Sequence, residues 1–410
     1  MKKKLYITRA IKIFALIMAV LVCSMMLQHY FLLHYDANKM RLDGFYIEEK
    51  DSLDVVLVGA SDCYADFIPG LAYEKYGITS YSYATASCTA GAAKTMIKEV
   101  MRTQNPQKIL IEINSFLYGF DNESRTSSVR SYIDNVPYNQ NKIEYLGSGA
   151  IPATEDEIEY YIPLIKYHGT WNDYPEPSGK YITQIFRQHT DGTTKLKGYR
   201  TSTSICVPDP KYPCINDTLA QNGKTLALMP DYEEKLRDLI GFIKDEGYAD
   251  KVLFVRMPHL VNASFYARFK RGNAAGEIIK SSGMEFINFE RDPETLAYSY
   301  GDYYNVDHLN VYGAAKFTDY LCGILTQKYG VTSRDLTQKQ KQSWDTAAEY
   351  YHKLHDYCDS FIKNETAKTG YVQTIEENSN VMKYIDDYAE TGKLPEIKPA
   401  PSAPTEEPEV

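Results

Sequence analysis

Four short apolar runs without polar alternation are spaced along the chain: LDVVLV at 53–58, KILIEI at 108–113, KVLFV at 251–255 and MEFINF at 284–289. Their length and branched side chains predict strands buried on both faces. The stretch 84–101 is compatible with a helix, and 232–245 repeats Leu236, Leu239, Ile240 and Ile243 at helical spacing. A further helix over 274–282 leads into the fourth run. Strands separated by helices predict an α/β domain, a three-layer sandwich with a central, mostly parallel sheet.

The rhythm breaks between about 115 and 229, a stretch read as an insertion of helices and loops resting over one end of the sheet. The α/β domain is therefore expected over 50–330, and 35–50 reads as a short juxtamembrane segment. A C-terminal helical extension over 331–393 follows, with helices at 336–362 and 372–390. The tail at 394–410 is rich in Pro and Glu and is expected to be disordered.

The longest apolar run, at 13–33, is broken only by Ser24, Gln28, His29 and Tyr30. At helical rise it is long enough for a bilayer core of roughly 30 Å. Lys2, Lys3, Lys4, Arg9 and Lys12 precede it. This order predicts a cytoplasmic segment at 1–12 and a single-pass anchor at 13–33 in the cell membrane, with everything after His34 extracytoplasmic. No small-x-small cleavage site follows the run, and Val22 stands before Cys23 where a lipoprotein signal needs a small residue.

Composition narrows the function classes. A 410-residue chain with 44% hydrophobic and 24% charged residues is that of a globular protein. Its net charge of −9 and the lack of a basic run beyond the N-terminus argue against nucleic acid as a partner. The 36 tyrosines suit either ordinary packing or carbohydrate binding. Seven cysteines are an odd number and indicate no dense disulfide framework, although Cys206 and Cys214 are close enough to bridge a short loop or remain free thiols.

Two segments could carry chemistry. Gly59-Ala60-Ser61-Asp62 directly follows the first strand, and ligands of open α/β sheets bind beyond the carboxyl ends of strands. A serine there can also be a plain helix cap. The second segment, Asn305-Val306-Asp307-His308-Leu309-Asn310, precedes an amphipathic helix and offers a histidine beside a carboxylate, the setting of a general base. Arg256, after the third strand, could hold a phosphate or carboxylate or form a plain ion pair; His168 and Trp171 could line a sugar groove or simply pack. No metal-ligand spacing and no Gly-rich phosphate loop is present, so neither a metal nor another cofactor is expected.

Together DVVLVGASD and NVDHLNVYGAAKFTDYL resemble the SGNH/GDSL hydrolase superfamily over roughly residues 50–330. The His-Leu-Asn-x-x-Gly-Ala-x-x-Phe-Thr string is similar to membrane-anchored bacterial members tied to cell-envelope polymers, including the teichoic acid D-alanylation branch. SVRSYIDNVPYNQNKIEYL looks like a recurring part of such anchored proteins. The resemblance implies Ser61 as nucleophile and His308 as base, with Asn305, Asp307 or Asp302 behind the ring, because the family's Asp is Asn305 here. It makes Asn114 and Gly91 the nearest candidates for oxyanion donors. The implied activity is a serine esterase or acyltransferase acting on acyl groups of envelope polysaccharide or teichoic acid, possible partner being a membrane acyltransferase. The alternative is a non-catalytic accessory protein that binds polysaccharide or such a partner.

Overall fold

The computed structural model describes residues 2–31, 37–167, 195–369 and 378–394. Five parallel strands form one sheet: β1 Val55–Gly59, β2 Ser80–Ala84, β3 Lys108–Glu112, β4 Val252–Arg256 and β5 Phe286–Asn288. The spatial order is β2-β1-β3-β4-β5. Successive connections leave β1 in opposite directions, so a crevice opens between the carboxyl ends of β1 and β3.

Alternate residues of each strand face opposite sides of the sheet. Val56 and Val58 enter one core with Met96, Ile97, Leu236 and Leu239; Val55 and Leu57 enter the other with Leu71, Phe317, Leu321 and Leu354. Helices therefore cover both faces.

The segment SYSYA forms β2 without an apolar run to mark it. It is a strand because Tyr81 and Tyr83 bury their rings against Phe45 while Ser80 and Ser82 turn to the other face. The helix expected from 84 starts only at Ala92, since a turn with Ser87 at positive φ intervenes.

Two expected boundaries move. Residues Ala37–Ile47 form a helix of the domain itself, not a separate segment, with Leu42 and Phe45 fully buried. Arg41 in that helix donates to the Gly198 and Ala84 carbonyls and lies 3.6 Å over the Tyr64 ring. Helix Gln338–Thr369 is likewise no appendage: Trp344, Tyr350, Leu354, Tyr357 and Phe361 are core side chains.

The insertion begins with four short helices, Thr126–Ile133, Gln140–Gly147, Ile158–Tyr161 and Pro163–Tyr167. Its helix Gln140–Gly147 packs on one face of the sheet, where Asn139 and Asn141 both donate to Glu99 of helix Ala92–Thr103, while Tyr118, Gly119 and Phe120 lie beside Ser61 at the carboxyl end. The SVRSYIDNVPYNQNKIEYL segment thus has a packing role, with Arg130 bound to Asp134 and Glu159. His168 and Trp171 lie outside the described residues, as does all of the expected tail beyond 394.

The N-terminal helix Lys2–Phe31 contains Tyr6–Ser24, a 19-residue stretch of mean hydropathy 2.0, none of it buried. It is long and apolar enough to cross a membrane. Cys206 and Cys214 are both free thiols.

Candidate active site

Gly59 ends β1 at φ 153°, and a Cβ there would lie 3.0 Å from both Cys63 Sγ and the Glu112 Cβ. The chain can therefore turn sharply beside β3 and start a short helix at Ser61. Ser61 and Asp62 occupy its first turn, where backbone N–H groups have no helical acceptor.

His308 arrives from the opposite end of the sequence on a two-stranded ribbon, β6 Tyr303–Asn305 and β7 His308–Leu309. The conspicuous string around it is mostly a clamp. Asn310 caps helix Val311–Gln327 by accepting from Tyr312 and Gly313, and donates to the Gly301 and Tyr303 carbonyls. A Cβ on Gly313 would sit 2.1 Å from the Asp302 carbonyl oxygen, so only glycine lets the helix approach. The Leu309 amide donates to buried Asp66 at 2.8 Å, next to the Ser61 turn.

These anchors bring Ser61 Oγ to 2.8 Å from His308 Nε2. On the far side of the ring, Nδ1 lies 3.0 Å from Asn305 Oδ1. The same Oδ1 accepts the Asp307 backbone N–H at 2.9 Å, which fixes that atom as the amide's oxygen. His308 Nδ1 must then carry the proton, leaving Nε2 free to accept from the Ser61 hydroxyl. Tyr304 stacks on the ring at 5.1 Å and 10° and blocks rotation. Burial lowers the His308 pKa below its ordinary 6.5, against the raising effect of the Asp62 charge. The imidazole is neutral at neutral pH, as a base requires.

The other two partners open in the sequence are engaged elsewhere. Asp307 pairs with Arg268 at 3.1 Å, while Asp302 binds Lys316 at 2.6 Å and closes a capping box with Ser299. Gly91 donates its amide to Glu123 at 3.0 Å, so it is no oxyanion donor to this cleft. Asn114 does line the cleft: its Nδ2 donates to Asp62 at 2.9 Å, and an amide nitrogen has a second hydrogen to offer.

Arg256 does not face a ligand. It is fully buried, bound to Glu112 at 3.1 Å and Glu290 at 2.9 Å. This pair is the floor of a charged network that continues through His259. His259 Nδ1 lies 2.7 Å from the Met257 carbonyl and 3.1 Å from Glu290, and Nε2 lies 3.4 Å from Asp62. Burial and the Arg256 charge oppose its protonation, but hydrogen bonds to Asp62 and Glu290 outweigh them and raise its pKa to about 10. Burial also opposes charge on Asp62, yet the His259 hydrogen bond and positive neighbours hold it below the usual carboxylate range. Glu112 is pushed up to about 8 by burial and by Asp62. Both of its oxygens accept hydrogen bonds, from Arg256 and from the Asn114 amide, which is the geometry of a carboxylate.

Asp62 and His259 are the site members with no assigned role in the sequence. Asp62 adjoins Ser61 and was legible as part of the GASD turn; His259 carries no motif. Asp62 Oδ1 lies 3.8 Å from His308 Nε2. When Nε2 takes a proton, opposite charges at that separation attract by about 4 kcal/mol at an effective dielectric of 20, before the opposing His259 charge is counted. The carboxylate missing behind Nδ1 is thus present beside Nε2.

No family model, curated protein or solved structure matches this chain. Its own geometry sets a serine hydroxyl against a neutral, oriented imidazole, with Asp62 and the Asn114 side-chain amide lining the same cleft. Among the described residues no cluster of His, Cys, Asp and Glu could hold a metal ion.

A reaction that uses His308 as its base would report this group on the acid limb: kcat/KM is expected to fall as pH drops through a pKa below 6.5. Asn305→Asp would put a carboxylate against Nδ1–H and move this limb upward, by about 1 unit or more. An unmoved limb in that variant would remove Asn305 from its place behind the ring.

Proposed function

We propose that this chain is a membrane-anchored serine esterase or acyltransferase of SGNH type, acting on acyl groups of cell-envelope polysaccharide or teichoic acid. The observation that carries the reading is the Ser61 Oγ to His308 Nε2 distance of 2.8 Å with Asn305 behind the ring. In the first step Ser61 Oγ bonds to the ester carbonyl carbon as its proton passes to Nε2. The carbon–oxygen bond to the alcohol then breaks, and His308 returns the proton to the leaving oxygen. Water or an acceptor hydroxyl, activated in turn by His308, takes the acyl group from Ser61.

The polymer class rests on the likeness of the HLNVYGAAKFT string to envelope-linked SGNH proteins. A domain outside the cytoplasm has no cytosolic acyl donor, which favours a membrane acyltransferase as partner. The apolar Tyr6–Ser24 helix, preceded by basic residues, supports the single-pass, extracytoplasmic orientation. Protease added to intact cells should digest the region after His34; protection until lysis would reverse the topology.

Activity is tested by hydrolysis of a short-chain aryl ester by the full-length protein in detergent. Turnover by wild type and its loss in Ser61→Ala are expected; equal turnover would reject the mechanism. The amide of Asn305, where the resembling family has a carboxylate, favours a second reading as a non-catalytic envelope-binding accessory protein. That reading holds if Ser61→Ala and His308→Ala keep the wild-type cellular phenotype while a deletion loses it.

A further inference from the structure

We propose that Arg271, one helical turn from Arg268, forms an anion subsite beside Ser61, and that the ester handled there carries a carboxylate or phosphate. The inference rests on the esterase reading and names a property of its substrate.

Ser61, His308, Asn114, Arg268 and Arg271 line one open cleft of about 480 Å³. Its charges can be paired off one by one. Asp62 is answered by His259, and Asp307 by Arg268. Arg271 remains. Its Nε is buried without a hydrogen-bond partner, and among the described residues it has neither a hydrogen bond nor an ion pair. Among the described residues the wall therefore keeps one uncompensated positive charge, in a protein whose net charge is −9.

The guanidinium is also given a bed. A Cβ on Gly119 would come within 3.2 Å of both Arg271 terminal nitrogens, so the backbone there lies against the group and leaves its outer edge to the cleft. Tyr118 and Phe120 flank that glycine with rings stacked at 5.2 Å, and Phe120 is 45% exposed. On helix Tyr266–Ser281 residues three apart share a face, which sets Arg271 about 5 Å along the axis from Arg268. Arg268 Nη1 in turn lies 3.4 Å from Asn114 Oδ1. A planar fork of N–H donors without an acceptor, one turn from the reacting hydroxyl's neighbours, matches a carboxylate or phosphate oxygen pair. The aromatic pair beside it supplies an apolar face for the adjoining part of the substrate.

The anion can belong to the acyl group or to the alcohol, and the test separates them. Full-length protein is assayed with a neutral acetyl ester, a succinyl half-ester of the same alcohol, and an acetyl ester of a phosphate-bearing alcohol. One anionic ester is expected to exceed the neutral ester in kcat/KM by about 10-fold or more, as a charged hydrogen bond supplies. In Arg271→Gln that ratio should fall towards one; the succinyl or the phosphate arm identifies the side bearing the anion. A ratio unchanged by Arg271→Gln, or no anionic preference in wild type, overturns the subsite. Binding of succinate and inorganic phosphate to Ser61→Ala, by calorimetry, gives a readout independent of turnover. If Arg271→Gln abolishes that binding while no ester is ever turned over, the subsite stands and only the esterase reading falls. Equal binding with and without Arg271 overturns the subsite.

Discussion

Replacing His308 with alanine is expected to lower kcat/KM for an activated ester by about 10²- to 10⁴-fold, the range that a positioned general base supplies. That corresponds to about 3–5 kcal/mol of transition-state stabilisation. The loss should be severe because, among the described residues, Ser61 has no second base within hydrogen-bond reach. Asp62 is held ionised, but its nearest approach to the ring is on the Nε2 side at 3.8 Å, and its oxygens already serve His259 and Asn114. The decrease should fall mainly on kcat, since the imidazole moves a proton in the transition state and the Arg268 and Arg271 wall of the cleft is untouched. Steady-state kinetics on the purified full-length variant make the comparison. A decrease under about threefold, well short of what a general base contributes, would show that His308 is a spectator in a polar loop.

The largest stability effect is expected at Arg256. Arg256→Met removes the guanidinium that pairs with both Glu112 and Glu290, leaving these two buried groups, among the described residues, with His259 as their positive neighbour. Breaking one side of a buried ion pair costs about 3–5 kcal/mol, because the surviving charge keeps its desolvation penalty. Thermal unfolding followed by circular dichroism should show a Tm lower by about 10 °C. Arg271→Gln, which breaks no ion pair, serves as the control and should stay near wild type. A Tm for Arg256→Met equal to that of the control would mean that the network contributes little to the fold.

β1, β3 and β4 are apolar runs because both of their faces are largely buried, and such runs stand out in any sequence, whereas the edge strand β5 is only partly covered. β2 does not stand out, since its buried positions are tyrosines and serines with no apolar run, and Tyr81 and Tyr83 are buried only once Phe45 packs on them. Ser61 and His308 were legible from their positions after a strand and before a helix, 247 residues apart. The partner of the ring was not legible. Three candidates lay within six residues of His308, and only the bend that sends Asp307 to Arg268 and Asp302 to Lys316 leaves Asn305 behind it.

Arg256 shows a similar case. Its position at the end of β4 left a ligand and a plain ion pair equally open, and the ion pair forms because Glu112 and Glu290, from two other segments, make an acidic pocket there. Networks assembled from single residues of separate segments have no period and no spacing. Asp62, Glu112, Arg256, His259 and Glu290 meet only after the sheet is built.

Fluorophosphonate labelling of the full-length protein, with the modified peptide located by mass spectrometry, tests the nucleophile most directly. The adduct is expected on Ser61, absent in Ser61→Ala and strongly reduced in His308→Ala. Equal labelling of wild type and Ser61→Ala, or an adduct on another serine, would contradict the assignment of Ser61 as the nucleophile.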